Sequence, residues 1–255
     1  MKLLSCNAGY LLGYETMLGG YLPSPVGALV GDPAVEEASL ERLVDIITTE
    51  TPDVVTLLEV DRGSYRTATE GQVAAITDAL NDQGVDYEPL MANKYGDGVV
   101  GSLPFFGQLG NAVLTRTDRP IRTHYLSAGR KRLVFEIDLP DATCFAVHLS
   151  LGARTRRRQF AELADLIAET SGDVIVTGDF NTFDGTGPLE KFADETGLER
   201  RCPGESVPER PLDDYLIDSR YLDQFFCSPS LPVDRCQALD VQLSDHRPIV
   251  LETAR

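Results

Sequence analysis

Short runs of apolar and β-branched residues recur along the chain, and several of them end in a polar side chain. The clearest run covers residues 174–177 and continues through Gly178 into Asp179, with Asn181 two positions further on. Such a run predicts a strand that is buried on both faces. Because residues i and i+2 of an extended segment point the same way, Asp179 and Asn181 are expected to leave the strand end together. The alternative is a strand followed by an ordinary Asp/Asn turn.

Similar runs lead into Asn7, Glu59 and His148. A buried glutamate without a partner is costly, so Glu59 must meet solvent, a hydrogen-bond donor or a metal. Taken singly, Asn7 also fits a turn, and His148 also fits a core histidine whose hydrogen bonds are satisfied. In all, strands are predicted over residues 2–6, 54–58, 87–92, 110–115, 132–139, 143–149, 174–177 and 212–217, and from Pro248 onward.

Helices are predicted over residues 36–49, 71–80, 154–168 and 188–196. The third helix has a basic first turn that contains Arg154, Arg156, Arg157 and Arg158. Cations at this end oppose the helix dipole, so the cluster is not placed for helix stability. It either binds an anionic substrate or forms a solvated basic face that pairs with carboxylates.

Two glycine-rich loops, residues 10–34 and 93–108, are too long for ordinary connections between a strand and a helix. Their aromatic residues include Tyr10, Tyr14, Tyr21, Phe105 and Phe106. The sequence leaves open whether these loops form a lid, a docking surface or a substrate wall. Membrane contact or dimerisation through them is a hypothesis.

The chain has 255 residues, 42% of them hydrophobic, which is ample for one large or two closely packed α/β halves. We expect a single domain over residues 1–255, because no repeat, low-complexity tract or convincing linker interrupts it. No apolar run reaches about 18 residues, so no membrane span is expected. The N-terminal run fits a strand better than a signal peptide, and we expect a cytoplasmic protein.

The five cysteines, odd in number and without C-x-x-C spacing, imply neither a complete disulfide framework nor a zinc site.

The chain is strongly acidic: 23 basic and 40 acidic residues give a net charge of −17. Lysine occurs only at Lys2, Lys94, Lys131 and Lys191. Such a composition suits a protein that works in concentrated salt, where self-repulsion is screened, although an arginine bias also follows from nucleotide composition. The charge disfavours tight non-specific binding to nucleic acid but leaves room for local basic patches.

Seven motifs follow one another along the whole chain: Ser5-Cys6-Asn7, Leu57-Leu58-Glu59, Gly110-Asn111-Ala112-Val113-Leu114, Val147-His148-Leu149, Gly178-Asp179-Phe180-Asn181, Asp214-Tyr215 and Ser244-Asp245-His246-Arg247-Pro248. This ordered set resembles that of the endonuclease/exonuclease/phosphatase superfamily, which has the DNase I-like fold. The fifth and seventh motifs are individually fairly specific. The resemblance implies a four-layer α/β (α+β) sandwich, in which two mixed β-sheets pack face to face with helices outside.

The resemblance also implies hydrolysis of a phosphoester with Mg²⁺ or Mn²⁺ as cofactor. Glu59 is the best candidate for a metal ligand, with Asp245 and Asn7 close by, and magnesium prefers such oxygen ligands. Asp179 would orient or deprotonate the attacking water, while Asn181 holds a phosphate oxygen.

The histidines and Asn111 complete the implied site. His148 would donate a hydrogen bond to another phosphate oxygen, and Asn111 is a candidate for lining the site. His246 would contact the phosphoryl group and assist proton transfer, held by an acid that fixes its tautomer and favours its charged form. Asp213 and Asp214 are adjacent, and the Asp-Tyr pattern of the family favours Asp214 for this role.

We expect the substrate to be a phosphodiester of a small molecule or a lipid headgroup. Residues 148–151, followed by Arg158 and Gln159, are similar to the branch that includes sphingomyelinase-like and other small phosphodiesterases. A nuclease acting on DNA or RNA is the second candidate, and a polyphosphate or inositol-phosphate phosphatase is the third. An inactive binding module is disfavoured, because the implied catalytic residues are all present. The oligomeric state is left open.

Overall fold

The computed structural model describes residues 1–13, 32–64, 71–96, 106–201, 203–208 and 218–254. Within them the chain forms four α-helices and twelve strands. The helices are α1 (Pro33–Glu50), α2 (Gln72–Asp82), α3 (Ala153–Ala168) and α4 (Gly187–Thr196). None of the helices in these residues is long and apolar enough to cross a membrane.

The strands form two six-stranded sheets. They are β1 (Lys2–Asn7), β2 (Val54–Asp61), β3 (Glu88–Asn93), β4 (Leu109–Thr115), β5 (Ile121–Tyr125), β6 (Leu133–Asp138), β7 (Thr143–His148), β8 (Val174–Asp179), β9 (Glu199–Arg201), β10 (Asp223–Cys227), β11 (Val233–Ala238) and β12 (Ile249–Thr253). The first sheet has the order β11-β12-β1-β2-β4-β3, and the second has the order β5-β6-β7-β8-β10-β9. Both sheets are mixed, because β1 and β2 are parallel, as are β7 and β8, while the other neighbours are antiparallel.

Three apolar layers hold the sheets and helices together. The middle layer joins the inner faces of the two sheets and includes Leu3, Val54, Phe135, Ile175 and Phe225. On the outer faces, α1 and α2 pack against the first sheet, and α3 and α4 pack against the second. The predicted four-layer sandwich of two mixed sheets with helices outside is therefore confirmed.

All four predicted helices are present, and their ends differ from the predicted bounds by three residues or fewer. The sequence pattern does not predict β5, β9, β10 or β11. Two of these, β5 and β11, are largely solvent-facing strands without an apolar run, and β9 has only three residues. The strand predicted at 212–217 lies outside the described residues, as does most of the 10–34 loop.

The basic first turn of α3 does not form one anion-binding cluster. Arg156 is buried, donates a hydrogen bond to Leu151 O at 2.7 Å and pairs with Asp184. Arg154, Arg157 and Arg158 are exposed. Arg156 therefore braces the turn that enters α3, and the other three arginines form a solvated basic face.

An ion-pair network ties the end of α1 to the first sheet. Arg235 on β11 donates two hydrogen bonds to the carboxylate of Glu50, at 2.9 and 3.0 Å. Lys2 Nζ lies 3.5 Å from the same carboxylate. The hydrogen bonds from Arg235 lower the pKa of Glu50, although burial opposes them. Bidentate pairs of this kind are the stronger class of ion pair.

We predict that Glu50→Gln lowers the free energy of unfolding at neutral pH by about 1–2 kcal/mol. Because the pKa of Glu50 is lower in the folded than in the unfolded state, its contribution is present above the unfolded value, about 4.3, and disappears as the pH falls through the folded value. Urea denaturation at pH 7 and at pH 3 should therefore show a larger difference from the wild type at pH 7 than at pH 3. Glu195→Gln, at an exposed pair on α4, is the matched control. An equal loss at both pH values would contradict the electrostatic explanation.

Candidate active site

Strands from both sheets end at one edge of the sandwich. In the parallel pair of the first sheet, Asn7 lies opposite Leu58, the residue before Glu59. In the parallel pair of the second sheet, His148 lies opposite Asp179. Parallel strands have their carboxyl ends at a common edge, so polar residues from distant parts of the sequence meet there.

Asp179 is at the centre of these residues, with 1% of its surface exposed. Its Oδ2 accepts a hydrogen bond from Asn7 Nδ2 at 3.3 Å and lies 3.3 Å from His148 Nε2. Burial alone would raise the pKa of Asp179. The hydrogen bond with His148 and the positive charges of His246 and Lys131 outweigh burial and hold the pKa well below its usual range. Asp179 is therefore ionised at neutral pH.

A turn, and not strand alternation, brings Asn181 to Asp179. The strand β8 ends at Asp179, and Asn181 has a φ of 52°, in the left-handed region that asparagine tolerates. Its backbone N–H donates to Asp179 Oδ1 at 2.9 Å, and its Nδ2 donates to Asp179 Oδ2 at 3.0 Å. The expected extended geometry is therefore wrong, although the two side chains do meet.

Gly178 allows β8 to lie close to β7 just before the catalytic candidates. Its φ is 130°, and a Cβ at this position would collide with the carbonyl oxygen of Val147. Glycine is the residue that avoids both problems. The strand that carries Asp179 is thus held tightly against the strand that carries His148.

Glu59 lies in an irregular part of β2, which continues to Asp61 and does not end at Glu59 as expected. The register between β2 and β4 shifts between Leu57 and Val60, and Glu59 has a φ of 54°. Its N–H donates to Asn111 Oδ1 at 3.1 Å, which gives that predicted residue a supporting contact. Such irregularities redirect side chains and are common beside active sites.

Two lysines that sequence reasoning did not select surround Glu59. Its Oε1 lies 3.4 Å from Lys131 Nζ and 3.8 Å from Lys94 Nζ. Burial alone would raise the pKa of Glu59, but the positive charges of Lys131 and Lys94 outweigh burial and lower the pKa to about 2. The rarity of lysine was the signal in the sequence that could have identified them, since two of the only four lysines of the chain lie at this edge.

Among the described residues, the acid that holds His246 is Asp223, which the sequence analysis did not select. His246 Nδ1 donates to Asp223 Oδ2 at 2.6 Å, and both side chains are buried. Burial opposes a charged imidazole, but the negative charges of Asp223 and Asp245 raise the pKa of His246 well above its ordinary value. Asp214 lies outside the described residues. Among the described residues, Asp223 therefore makes the contact that the resemblance implied for Asp214.

A signal for Asp223 was present in the sequence. It stands two residues before the short apolar run Phe225-Phe226-Cys227, with Gln224 between, so a carboxylate stands at the start of a buried strand. Because β10 runs antiparallel to β8, its first residue lies beside the last residue of β8, and Asp223 pairs in register with Asp179. When the neighbouring strand is antiparallel, a polar residue at the start of a strand is therefore as good a candidate for the site as one at the end of a strand.

His148 is buried and uncharged at neutral pH. Burial and the positive charge of Lys131 lower the pKa of His148 to about 4, against the opposing charges of Asp179 and Glu59. Lys131 Nζ contacts His148 Nε2 directly. His148 Nδ1 is buried and has no hydrogen-bond partner among the described residues. His148 thus belongs to the polar cluster and is not an isolated core histidine.

A model of the endonuclease/exonuclease/phosphatase family matches residues 19–246. The chain belongs to this family. A curated relative, the UPF0294 protein of Klebsiella pneumoniae (strain 342), is 31% identical over 139 residues, which are 51% of this chain and 50% of that protein. The chain therefore spans about half the length of this relative.

Solved structures with the same fold cover the whole chain. An endonuclease/exonuclease/phosphatase family protein from Leptotrichia buccalis C-1013-b superposes with a TM-score of 0.70 at 17% identity, and 100% of each chain is covered. The mannosyl-6-phosphatase of Bacteroides thetaiotaomicron VPI-5482 has a TM-score of 0.63 at 16% identity, again over 100% of each chain. At these identities the likeness establishes the fold alone.

The family implies a divalent metal, and the donors at this edge fit one. Burial raises the pKa of Asp245, and the negative charges of Glu59 and Asp179 raise it further, against the effect of His246. A cation among these carboxylates would relieve that repulsion, and their oxygen atoms are the ligands that Mg²⁺ and Mn²⁺ prefer.

A second set of donor atoms lies close to the first. One donor atom from each of Asp179, Asp223 and His246 lies within 4.8 Å of the others. His246 and Asp223 already bond to each other, which commits His246 Nδ1 and Asp223 Oδ2. Asp223 Oδ1 is buried and has no hydrogen-bond partner among the described residues, so it retains capacity for a ligand.

We predict that Asp223→Asn lowers the titration midpoint of His246, because it removes the adjacent negative charge. NMR of the His246 ring protons in EDTA-treated protein measures this midpoint. Asp214→Asn is the matched comparison and should leave it unchanged. A fall in Asp214→Asn, with none in Asp223→Asn, would restore the sequence-based assignment.

Proposed function

We propose that this protein is a metal-dependent phosphodiesterase that acts on a small molecule or a lipid headgroup. The observation that carries the proposal is the buried, ionised Asp179, which hydrogen-bonds Asn181 and His148 and lies beside the charged His246–Asp223 pair. In-line attack of water on phosphorus requires a carboxylate to orient the water and donors to stabilise the phosphoryl oxygens. This edge supplies both kinds of group.

Asp179 orients the attacking water. Because its pKa is low, it accepts a hydrogen bond from the water and gains the proton only as the bond to phosphorus forms. Asn7 and Asn181 both donate to the carboxylate and fix its orientation. The water therefore meets a carboxylate whose direction is set before substrate arrives.

The two histidines act in different protonation states. His246 is charged and commits Nδ1 to Asp223, so Nε2 is the atom that donates to a phosphoryl or leaving oxygen. His148 is neutral, with a pKa of about 4, so its ring has a single N–H. On Nε2, which lies 3.3 Å from Asp179 Oδ2, that hydrogen would be shared between the carboxylate and a bound phosphate. The site thus combines one cationic donor and one neutral donor around the same phosphate.

A bound Mg²⁺ or Mn²⁺ would polarise a phosphoryl oxygen and stabilise the leaving oxygen. Glu59 and Asp245 would hold it, and Asn7 ends the strand that pairs with β2 at the same edge. The mutual repulsion of the carboxylates supports this choice of ligands.

The net charge of −17 favours a small substrate over a polynucleotide. A long polyanion is repelled along an acidic surface, whereas a small phosphoester meets only the local charges of the site. The mannosyl-6-phosphatase with the same fold acts, by its name, on a phosphorylated sugar. A nuclease of the same family is the alternative that the following assay separates.

We expect the protein to hydrolyse bis-p-nitrophenyl phosphate with Mg²⁺ or Mn²⁺, and to leave supercoiled plasmid intact. EDTA should abolish turnover, because the metal is required. Both substrates should be tested at low and at multimolar salt. Metal-dependent nicking of the plasmid would instead support the nuclease, and no turnover of either substrate at either salt would argue against an enzyme.

We predict that Asp179→Asn lowers kcat for the small diester by about 10²- to 10⁴-fold. The amide keeps the size of the side chain but cannot accept the proton. Asp194→Asn, on the exposed face of α4, is the matched control and should keep normal kinetics. Circular dichroism must show that both variants are folded. Wild-type kcat in folded Asp179→Asn would remove Asp179 from the reaction.

A further inference from the structure

A pocket of about 330 Å³ opens beside Glu59, the candidate metal ligand. Lys131 connects the pocket with the candidate active site, because it lines the pocket and its Nζ lies 3.4 Å from Glu59 Oε1. The volume is at the lower end of the range for small-molecule sites, which fits one part of a substrate. Other lining residues are Lys94, Tyr95, Arg130, Ser150 and Leu151.

The pocket is cationic within a strongly acidic chain. Lys94, Arg130 and Lys131 line it, and the described residues around it include no carboxylate. Glu59 contacts both lysines, so one negative charge faces two positive ones at the boundary with the catalytic site. Arg130 is exposed and adds a third positive charge on the side of the solvent. An anion that enters the pocket therefore meets a local excess of positive charge.

A fully buried glutamine fixes the loop that presents Lys131. Gln159 Nε2 donates to Ala128 O at 3.0 Å and to Lys131 O at 2.6 Å. Its Oε1 accepts from Ser150 N at 2.8 Å. Gln159 thus uses its amide to hold two walls of the pocket, which sets the position of the Lys131 backbone before any ligand binds.

The wall that carries Lys94 is tied to the same loop. Arg132 N donates to Lys94 O at 3.2 Å, and an Arg132 side-chain nitrogen donates to Tyr95 O at 3.2 Å. Lys94 is only 5% exposed, an unusual position for lysine that requires compensating contacts. The two lysines therefore have a fixed relation across the junction of the two sheets.

Further donors complete the pocket. The Ser150 hydroxyl is buried and has no hydrogen-bond partner among the described residues. Thr155, in the first turn of α3, also lines the pocket, and the N-cap residue Gly152 has no side chain to cap that turn. A helix N-terminus favours an anion, and here it adds to the fixed lysines and the serine.

We propose that this pocket binds a second phosphate group of the substrate. The substrate class is then a small phosphodiester that carries an additional phosphate. The proposal rests on the proposed function, because it places the scissile phosphate at Asp179 and the second phosphate between Lys94, Lys131 and Arg130. Hydrogen bonds between cationic donors and a phosphate are strong, and the serine hydroxyl supplies a neutral one.

The test compares two chromogenic diesters that differ in one group: the p-nitrophenyl ester of thymidine 5′-phosphate, with and without a 3′-phosphate. With Mg²⁺ at low salt, the ester that carries the 3′-phosphate should have a kcat/KM about tenfold higher or more. Arg130→Gln should reduce this ratio several-fold and leave the kcat/KM of the plain ester within about twofold. The matched control is Arg157→Gln, on the exposed face of α3, which should keep the wild-type ratio.

Equal kcat/KM values for the two esters in the wild type would overturn the proposal while leaving the proposed function intact. A wild-type ratio in Arg130→Gln would overturn it as well. If added inorganic phosphate activates the plain ester, the pocket binds free phosphate, and the assignment to a substrate group is wrong.

If the proposed function itself is wrong, neither ester is hydrolysed, and bis-p-nitrophenyl phosphate is not hydrolysed either. The pocket is then judged by calorimetry of EDTA-treated protein with thymidine 3′,5′-bisphosphate and thymidine 5′-monophosphate. About tenfold tighter binding of the bisphosphate supports the second-phosphate site. Equal affinities overturn it.

Discussion

The structure of the site depends on keeping the carboxylate of Asp179 ionised in the interior. An unpaired buried charge is costly, and Asp179 is tolerated because Asn7, Asn181 and His148 surround it with polar contacts. Asn7 ends a strand of the first sheet, whereas Asp179 and His148 end strands of the second. The contact with Asn7 therefore forms only when the two sheets are correctly aligned, and this couples the fold to the site.

The same principle extends along the whole edge. His246 precedes β12 of the first sheet and bonds to Asp223 at the start of β10 in the second. Glu59 of the first sheet contacts Lys131, which precedes β6 of the second. In the middle layer, apolar packing aligns the two sheets. At this edge, polar pairs between the sheets take the place of apolar packing. Such pairs specify one alignment, because a shifted sheet would leave buried charges without partners.

The fold and part of the site follow from local sequence patterns. Continuous apolar runs locate the central strands, and polar residues at their ends identify Glu59, His148 and Asp179. Asp223 was missed because the apolar run that follows it is too short to predict β10, and because its role also depends on the antiparallel pairing of β10 with β8, which no local pattern specifies. Lys94 and Lys131 were missed for a similar reason: each lies beyond the end of a strand or before the start of one, and only the packing of the sheets brings them to Glu59.

Charge and size act together at this edge. A compact anion meets Lys94, Lys131 and His246, whereas a long polyanion must also lie along the surface of a chain with a net charge of −17. Salt reduces this difference, since the screening length falls from about 10 Å at 0.1 M to about 3 Å at 1 M. Contacts inside a partly buried pocket are screened less than those on the surface. In concentrated salt the fixed walls held by Gln159 and Arg132, more than the surface charge, would therefore determine which phosphoesters fit.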